Sequence, residues 1–335
     1  MSCLYGISLR LCFCRPAKSL MRPLFLFLAA LSLARGQFFS STPLGLDAYL
    51  PVPDDDPLTA EKVALGRKLF FDKRLSRDQT LSCASCHDPQ RAYTDGRTLA
   101  EGIEHTKGER NTPTLVNRGY GAVQFWDGRV KLLEEQVLQP IQNPKELGMT
   151  LPEVGARLGI DERTLAQSLA SYVRTIRSGN SRVDQYLSAY SGLTPQEQLG
   201  MRIFRVKGNC VACHVGPNFT DEKFHNTGVS YHNGRFLDEG RFAVTGKPAD
   251  HGAFKTPTLR EVARTAPYMH DGSLETLEDV VEFYDRGGNP NPYRDPEIRP
   301  LHLTPEEKQA LIAFLKALSG EISEGVGQPE SVAAP

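Results

Sequence analysis

The chain has 335 residues, of which 40% are hydrophobic, and its formal net charge is −1. At roughly 150 residues per domain, this length predicts about two domains. The balanced charge excludes the basic footprint of a protein that binds nucleic acid.

The first 36 residues have the composition of an export signal. Met21-Arg22 precedes the apolar run 23–33, and Ala34-Arg35-Gly36 resembles a signal-peptidase site. A run this short is typical of a secretory signal rather than a membrane span. We therefore predict a signal peptide over residues 1–36, in which 1–20 is an upstream extension. The mature chain would be periplasmic, without a stable membrane anchor.

Helical patterns dominate the rest of the chain. Apolar spacing and capping residues predict helices from Thr59, near 151–158, over 161–190, from Thr194, and from Thr304 to about Leu318. The fold class is therefore mainly α. We assign an N-terminal domain to residues 51–190 and a C-terminal domain to 191–320. The tail 321–335 is rich in Gly, Pro, Glu and Ala and is predicted to be disordered.

Two CxxCH motifs contain every cysteine of the predicted mature chain: Cys83-Ala84-Ser85-Cys86-His87 and Cys210-Val211-Ala212-Cys213-His214. Two thiols at this spacing attach one haem c, and the following histidine binds its iron. The alternatives are a zinc site, a redox-active pair or a disulfide. Zinc would need four converging ligands at each site. A redox pair would lie in a βαβ context, which the sequence does not show, and a disulfide does not require the histidine. The motifs predict two covalently bound haem c groups.

The segments around the motifs are repeated. Leu65-Gly66-Arg67-Lys68-Leu69-Phe70 precedes the first motif, and Leu199-Gly200-Met201-Arg202-Ile203-Phe204 precedes the second. Downstream, Thr112-Pro113-Thr114-Leu115 and Thr256-Pro257-Thr258-Leu259 are 144 residues apart, as are Asp127-Gly128 and Asp271-Gly272. The repeat predicts two cytochrome c-like domains that descend from one unit.

The two halves differ where a distal haem ligand would lie. At the spacing of 144 residues, Pro140 corresponds to Tyr284, Glu146 to Pro290, Gln136 to Val280 and Trp126 to His270. If Tyr284 binds the second iron, Pro140 cannot bind the first, which keeps an open position. Gln136 and Glu146 are polar groups suited to hold and deprotonate a small ligand there.

Across about residues 58–318 the chain resembles the di-haem bacterial cytochrome c peroxidase/MauG family. Besides the repeat and the haem motifs, the resemblance is carried by the following segments: Arg110-Asn111-Thr112-Pro113-Thr114, Gln124-Phe125-Trp126-Asp127-Gly128-Arg129, Pro140-Ile141-Gln142-Asn143, Gly240-Arg241-Phe242 and Ala266-Pro267-Tyr268-Met269-His270-Asp271-Gly272.

This resemblance implies roles for individual residues. The first haem would react with hydrogen peroxide, with Glu146 moving the proton and Gln136 orienting the oxygen. The second haem would exchange electrons, and Trp126 would relay charge between the two. A calcium ion would be held by Asn111, Thr265 and Pro267.

The family divides on its distal ligands. Its ordinary peroxidases use a methionine at the position of Tyr284, so Tyr284 is the MauG-like choice, with Met269 as the alternative ligand. They also place a removable histidine over the first haem, near Ile103. This chain has isoleucine there, although His105 lies two residues away.

Three functions follow as hypotheses. The first is MauG-like oxidation, by peroxide, of tryptophan or tyrosine side chains in a partner protein. The second is a cytochrome c peroxidase that removes peroxide with electrons from a small periplasmic cytochrome or cupredoxin. The third, a non-catalytic electron carrier, is disfavoured by Gln136, Glu146 and the unequal ligand sets.

Overall fold

The computed structural model describes residues 42–325, and this part of the chain is mainly helical. The predicted signal peptide, residues 1–36, and the end of the tail, residues 326–335, lie outside the described residues. Within 42–325, no helix has both the length and the apolar character needed to cross a membrane.

The described α-helices are mostly short, and only four exceed two turns by a clear margin. They are α1 (Ala60–Phe70), α2 (Cys83–Cys86), α3 (Leu133–Gln136), α4 (Gln139–Gln142), α5 (Leu151–Leu158), α6 (Glu162–Thr175), α7 (Arg182–Ala189), α8 (Pro195–Arg205), α9 (Phe242–Thr245), α10 (Leu277–Asp285) and α11 (Pro305–Lys316). Single 3-10 turns lie between them at Lys73–Leu75, Pro89–Arg91, Ile103–His105, Arg118–Tyr120, Cys210–Ala212, Pro248–Asp250 and Val262–Arg264.

The predicted helix starts at Thr59, Thr194 and Thr304 are confirmed. Each threonine is extended in its backbone, and its hydroxyl accepts a hydrogen bond from the backbone N–H three residues later. At Thr194 and Thr304 a glutamate completes a reciprocal capping box. These caps satisfy amide groups that the first helical turn leaves unpaired.

The single helix predicted over 161–190 is wrong. Helix α6 ends at Thr175, and Arg177–Gly179 forms strand β1. Asn180 then adopts φ of +59°, and Ser181 caps the new helix α7. Left-handed backbone and a capping serine both end a continuous helix, so the apolar periodicity carried across the break misled the prediction.

The predicted disorder of the tail is also wrong for its first residues. Glu321–Ser323 forms strand β6, which pairs antiparallel with β1 in the register Ser178↔Ile322. The other described strands are β2 (Phe224–His225) with β5 (Phe254–Lys255), and β3 (Tyr231–His232) with β4 (Arg235–Phe236). Pairing with β1 satisfies the backbone of β6, which its polar composition did not reveal.

Two helix pairs are built alike, α1 against α6 and α8 against α11. A Cβ added to Gly66 in α1 would lie 1.8 Å from the Ser168 carbonyl oxygen, and one added to Gly200 in α8 would lie 1.9 Å from that of Ala310. Only glycine permits backbones to approach this closely. The first pair belongs to one hydrophobic cluster and the second pair to another, and the haem motifs border both clusters.

Candidate functional site

Both CxxCH motifs fold into a single tight turn. The backbone N–H of His87 donates to the Cys83 carbonyl oxygen at 2.9 Å, and that of His214 donates to Cys210 at 2.8 Å. The turn places the two sulfurs and the imidazole of each motif on the wall of one shared cavity. Local sequence therefore suffices to gather three groups of each motif.

The two histidines are oriented in the same way. Nδ1 of His87 donates to the carbonyl oxygen of Tyr93 at 3.0 Å, and Nδ1 of His214 donates to that of Phe219 at 2.8 Å. A proton held on Nδ1 leaves the Nε2 lone pair free for a metal. Burial lowers the pKa of both imidazoles, that of His214 to about 4, which keeps them neutral.

The cysteines have the chemistry of attachment points rather than of disulfides. All four are free, and burial raises the pKa of Cys83, Cys86 and Cys210 to about 12. No group of three or more His, Cys, Asp or Glu within residues 42–325 is arranged to hold a metal ion, so a zinc site has no support there. The cavity measures about 800 Å³ and is largely apolar. Its shape and donors fit haem groups.

The predicted distal residues Gln136, Pro140 and Glu146 all line this cavity. Glu146 is close enough to Cys83 and Cys86 to affect the pKa of both thiols, and we call this part of the cavity the first chamber. Glu146 accepts a hydrogen bond from Asn143 Nδ2 at 2.7 Å. Burial raises the pKa of Glu146, while the amide of Asn143 and the charge of Arg129 oppose that rise. A raised pKa suits a carboxyl group that both takes and returns a proton.

A second cavity adjoins the first chamber. This cavity of about 440 Å³ has Pro140, Asn143, Glu146, Phe125 and Arg129 on its wall, and all five also line the large cavity. A small ligand thus has room on the Glu146 side of the first motif.

Neither Ile103 nor His105 is on the wall of the large cavity. Ile103 is 1% exposed, and its N–H donates to the Glu146 carbonyl oxygen at 2.9 Å. The side chain of His105 is 91% exposed, and its Nδ1 lies 2.7 Å from Glu101 Oε1. In this conformation His105 therefore does not cover the first chamber.

Tyr284, from helix α10, lines the cavity beside the second motif, a part that we call the second chamber, and Met269 lines the same cavity. Burial raises the pKa of Tyr284, and the thiols of Cys213 and Cys210 are close enough to add to the effect. The backbone of Met269 itself has a φ of +73°. Tyr284 is therefore close to the second motif, whereas Met269 is a residue of the cavity wall.

Trp126 lies between the two halves in a reciprocal set of hydrogen bonds. The Asn111 N–H donates to the His270 carbonyl oxygen at 2.7 Å, and the Lys255 N–H donates to that of Trp126 at 2.8 Å. The indole Nε1 donates to the Asn111 carbonyl oxygen at 2.9 Å. All four residues line the cavity, so these hydrogen bonds hold Trp126 on the cavity wall.

The residues predicted to bind calcium, Asn111, Thr265 and Pro267, all line the cavity. Asn111 is buried, and its Nδ2 donates to the Arg97 carbonyl oxygen at 2.7 Å. Its Oδ1 is consequently the end of the amide left for a cation.

One charged cluster was missed by the sequence analysis. Lys255 is 7% exposed, and its Nζ lies 3.4 Å from Glu222, which also pairs with Arg118 at 2.7 Å. Burial lowers the pKa of Lys255 to about 7. Arg118 and Lys255 line the cavity. The repeat could have drawn attention to Lys255, because this residue occupies the position in the second half that Asn111 occupies in the first, 144 residues earlier.

Comparison with known proteins identifies the family. Residues 60–191 match the family described as di-haem cytochrome c peroxidase. The chain is 38% identical over 291 residues to the methylamine utilization protein MauG of Methylorubrum extorquens, a match that covers 81% of this chain and 82% of that protein. The chain belongs to the di-haem cytochrome c peroxidase/MauG family. It is thus a di-haem peroxidase, and haem c is its cofactor.

Other members are similarly related to this di-haem peroxidase. Cytochrome-c peroxidase IdrP1 of Pseudomonas sp. is 35% identical over 353 residues, covering 89% of this chain and 93% of the relative. A solved structure of a MauG-like protein associated with microbial copper homeostasis superposes with a TM-score of 0.77 at 35% identity, covering 82% of this chain and 95% of that one. Both branches of the family are therefore represented among its relatives.

Proposed function

We propose that the protein is a periplasmic di-haem enzyme of the MauG type. It reacts with hydrogen peroxide at a haem held by Cys83, Cys86 and His87, and it oxidises tryptophan or tyrosine side chains of a partner protein. The observation that carries this proposal is the inequality of the two chambers. Glu146 and Gln136 line the first chamber, and the half-buried Tyr284 lines the second.

The first chamber has the groups needed to handle peroxide. Nε2 of His87 would hold the iron, which supplies the redox chemistry of peroxide reduction when the haem is bound. Glu146 takes the proton of the incoming O–H group and returns it to the departing oxygen. Gln136 orients the peroxide, and Pro140 offers no side chain that could block the open position. Positioned acid–base groups of this kind contribute about 10²–10⁴ in rate.

The second chamber has a different electronic character. Cys210, Cys213 and His214 would hold the second haem, with Tyr284 as its distal ligand. Tyrosinate is anionic and favours oxidised iron, whereas methionine raises the potential. Axial ligands span about 0.8 V, and about 59 mV changes a one-electron equilibrium tenfold. With Tyr284 as its ligand, this haem would thus be difficult for a small cytochrome to reduce.

Trp126 would carry charge between the two haems. Its ring lies on the cavity wall, and its indole N–H is held by the Asn111 carbonyl oxygen. We also propose a calcium ion bound by Asn111 Oδ1 with the carbonyl oxygens of Thr265 and Pro267. Hard oxygen donors of this kind are the ligands that calcium prefers.

We further propose that the two halves, divided near residue 190, descend from one haem-binding unit. The matched contacts of Gly66 and Gly200 and the matched histidine hydrogen bonds support this origin.

A second candidate is a cytochrome c peroxidase that removes peroxide with electrons from a small cytochrome or cupredoxin. The position of Met269 on the cavity wall favours it, because a methionine ligand would raise the potential of the second haem.

The test uses the exported protein loaded with both haems, confirmed by its haem c content. It is mixed with peroxide in the presence and absence of a reduced small cytochrome. Negligible turnover of the cytochrome, together with a peroxide-induced spectral change that persists for minutes, is expected. Rapid, saturable oxidation of the cytochrome would establish the second candidate, and no spectral response to peroxide would refute both.

A further inference from the structure

A carboxylate from the C-terminal end of the described chain joins two tyrosines in the N-terminal core. Glu324, directly after β6, accepts hydrogen bonds from the hydroxyl groups of Tyr93 and Tyr172. The two phenol oxygens are 3.4 Å apart. Nε of Arg67 donates to the other carboxylate oxygen, Oε1, at 3.0 Å.

The phenols are buried, but their partners are not. Tyr93 is 1% exposed and Tyr172 is 0% exposed, whereas the side chains of Glu324 and Arg67 are 28% and 56% exposed. Burial raises the pKa of both phenols, so neither ionises readily by itself. A buried phenol loses an electron at lower cost if its proton leaves at the same time, because a charge in the core is then avoided. Glu324 is placed to accept that proton and lies partly in solvent.

The pair is also coupled to the first haem motif. The carbonyl oxygen of Tyr93 accepts the hydrogen bond from Nδ1 of His87 at 3.0 Å. Phe70 lines the haem cavity, and its ring centroid is 5.1 Å from that of Tyr172 and 6.1 Å from that of Tyr93. One hydrogen bond and two aromatic contacts of Phe70 therefore connect the tyrosines to the site of peroxide reduction.

We propose that Tyr93 and Tyr172, with Glu324 as their shared proton acceptor, form a proton-coupled redox site that supplies electrons to the first haem site. This inference rests on the proposed reaction with peroxide. Hydrogen peroxide is the oxidant: its O–O bond breaks, and two electrons with two protons reduce it to two waters. Each tyrosine gives one electron and its phenolic proton and becomes a neutral tyrosyl radical.

The shared carboxylate sets the order of events. Glu324 accepts the proton of one phenol and releases it to solvent before it can serve the other. When no partner protein is docked, the site would protect the residues of the haem pocket from oxidation, because the oxidising equivalents move to the tyrosines. This route leaves from the His87 side and is separate from the route through Trp126.

The experiment freezes the haem-loaded protein at intervals after one equivalent of peroxide and measures its electron paramagnetic resonance. A tyrosyl signal that narrows with ring-deuterated tyrosine is expected. Tyr93→Phe with Tyr172→Phe should lose this signal while keeping the His87 hydrogen bond, which uses a backbone oxygen. Glu324→Gln should slow its appearance about 100-fold, as removal of a positioned base does.

Tyr120→Phe is the matched control, because its hydroxyl donates to a backbone carbonyl oxygen rather than to a carboxylate. The control should retain the signal in full. An unchanged signal in the double variant would overturn the inference. An unchanged rate in Glu324→Gln at equal thermal stability would also overturn it. In either case the hydrogen bonds of Glu324 with Tyr93 and Tyr172 would have only a structural role.

Haem absorbance recorded in the same samples separates the two proposals. A haem response without a tyrosyl signal defeats the tyrosine site alone. The absence of any haem response to peroxide defeats the proposed function, and the tyrosine site with it.

Discussion

The indole N–H of Trp126 donates a hydrogen bond to the backbone carbonyl oxygen of Asn111 at 2.9 Å. Asn111 in turn donates its own N–H to the His270 carbonyl oxygen, across the two halves of the repeat. The tryptophan predicted to relay charge is therefore held by the same residue predicted to bind calcium. The electron transfer proposed for Trp126 and the junction of the two halves would therefore depend on one small group of contacts.

Replacement of Trp126 by Phe tests this relationship. It removes the indole ring and leaves the Asn111 carbonyl oxygen without this donor, which costs about 1 kcal/mol of unfolding free energy. We expect the peroxide-induced change at the second haem to slow at least about tenfold, a barrier increase of about 1.4 kcal/mol. Stopped-flow absorbance measures the rate. Phe71→Leu, a substitution at a 39% exposed ring, should leave it unchanged. Equal rates in both variants would exclude Trp126 as the relay.

Replacement of Glu146 by Gln should slow the reaction with peroxide about 100-fold, because the proton acceptor is lost. Burial raises the pKa of Glu146, so in the parent protein the rate should fall as pH drops through a value above the usual carboxyl range of about 4.3. That acidic limb should vanish in the variant. Glu135→Gln, at an exposed position of α3, is the control. A pH profile that keeps its acidic limb in Glu146→Gln would assign the proton transfer to another group.

Replacement of Tyr284 by Phe decides between the two candidate ligands of the second haem. We expect loss of the six-coordinate low-spin signal of one haem, since phenylalanine cannot bind iron. Tyr284→Met should raise the reduction potential by on the order of 100 mV or more, as methionine ligation does. Met269→Leu should leave both the spectrum and the potential unchanged. The opposite pattern in these variants would identify Met269 as the ligand.

Removal of the His105 imidazole should have no effect on the first haem. The side chain is 91% exposed and pairs with Glu101, so His105→Ala should change peroxide reactivity less than about twofold. Resting-state spectra measure the coordination of the iron at the same time. A shift to a five-coordinate spectrum in this variant would show that the loop moves to place the histidine over the haem.

Substitution of Gly66 or Gly200 by alanine should destabilise the fold. The added Cβ would come within 1.8 Å or 1.9 Å of a backbone oxygen, so the helices must separate. Overpacking costs about 1–3 kcal/mol, and we expect at least the upper value because backbone atoms cannot rotate away. Urea unfolding measures the loss. Gly155→Ala, whose Cβ would meet Ile160 at 3.2 Å, is the control. A loss below about 1 kcal/mol at Gly66 would contradict the close packing.

The sequence alone was sufficient for the features that depend on short-range spacing. The CxxCH turns and the helix starts at Thr59, Thr194 and Thr304 are local patterns. Their geometry follows from a few neighbouring residues and their hydrogen bonds. Comparison of the two halves then assigned roles to Gln136, Pro140 and Glu146, and all three residues line the large cavity.

Only the tertiary structure decided the features that depend on distant residues. Local periodicity did not predict the break after α6 or the pairing of β6 with β1, because the partner strands are about 144 positions apart. Tyr93 and Tyr172 meet Glu324 across 231 and 152 positions, and no composition rule connects a polar tail to a buried phenol. Such contacts form because packing of the whole core brings the groups together. Each buried polar group then finds a hydrogen-bond partner, which lowers the free-energy cost of its burial.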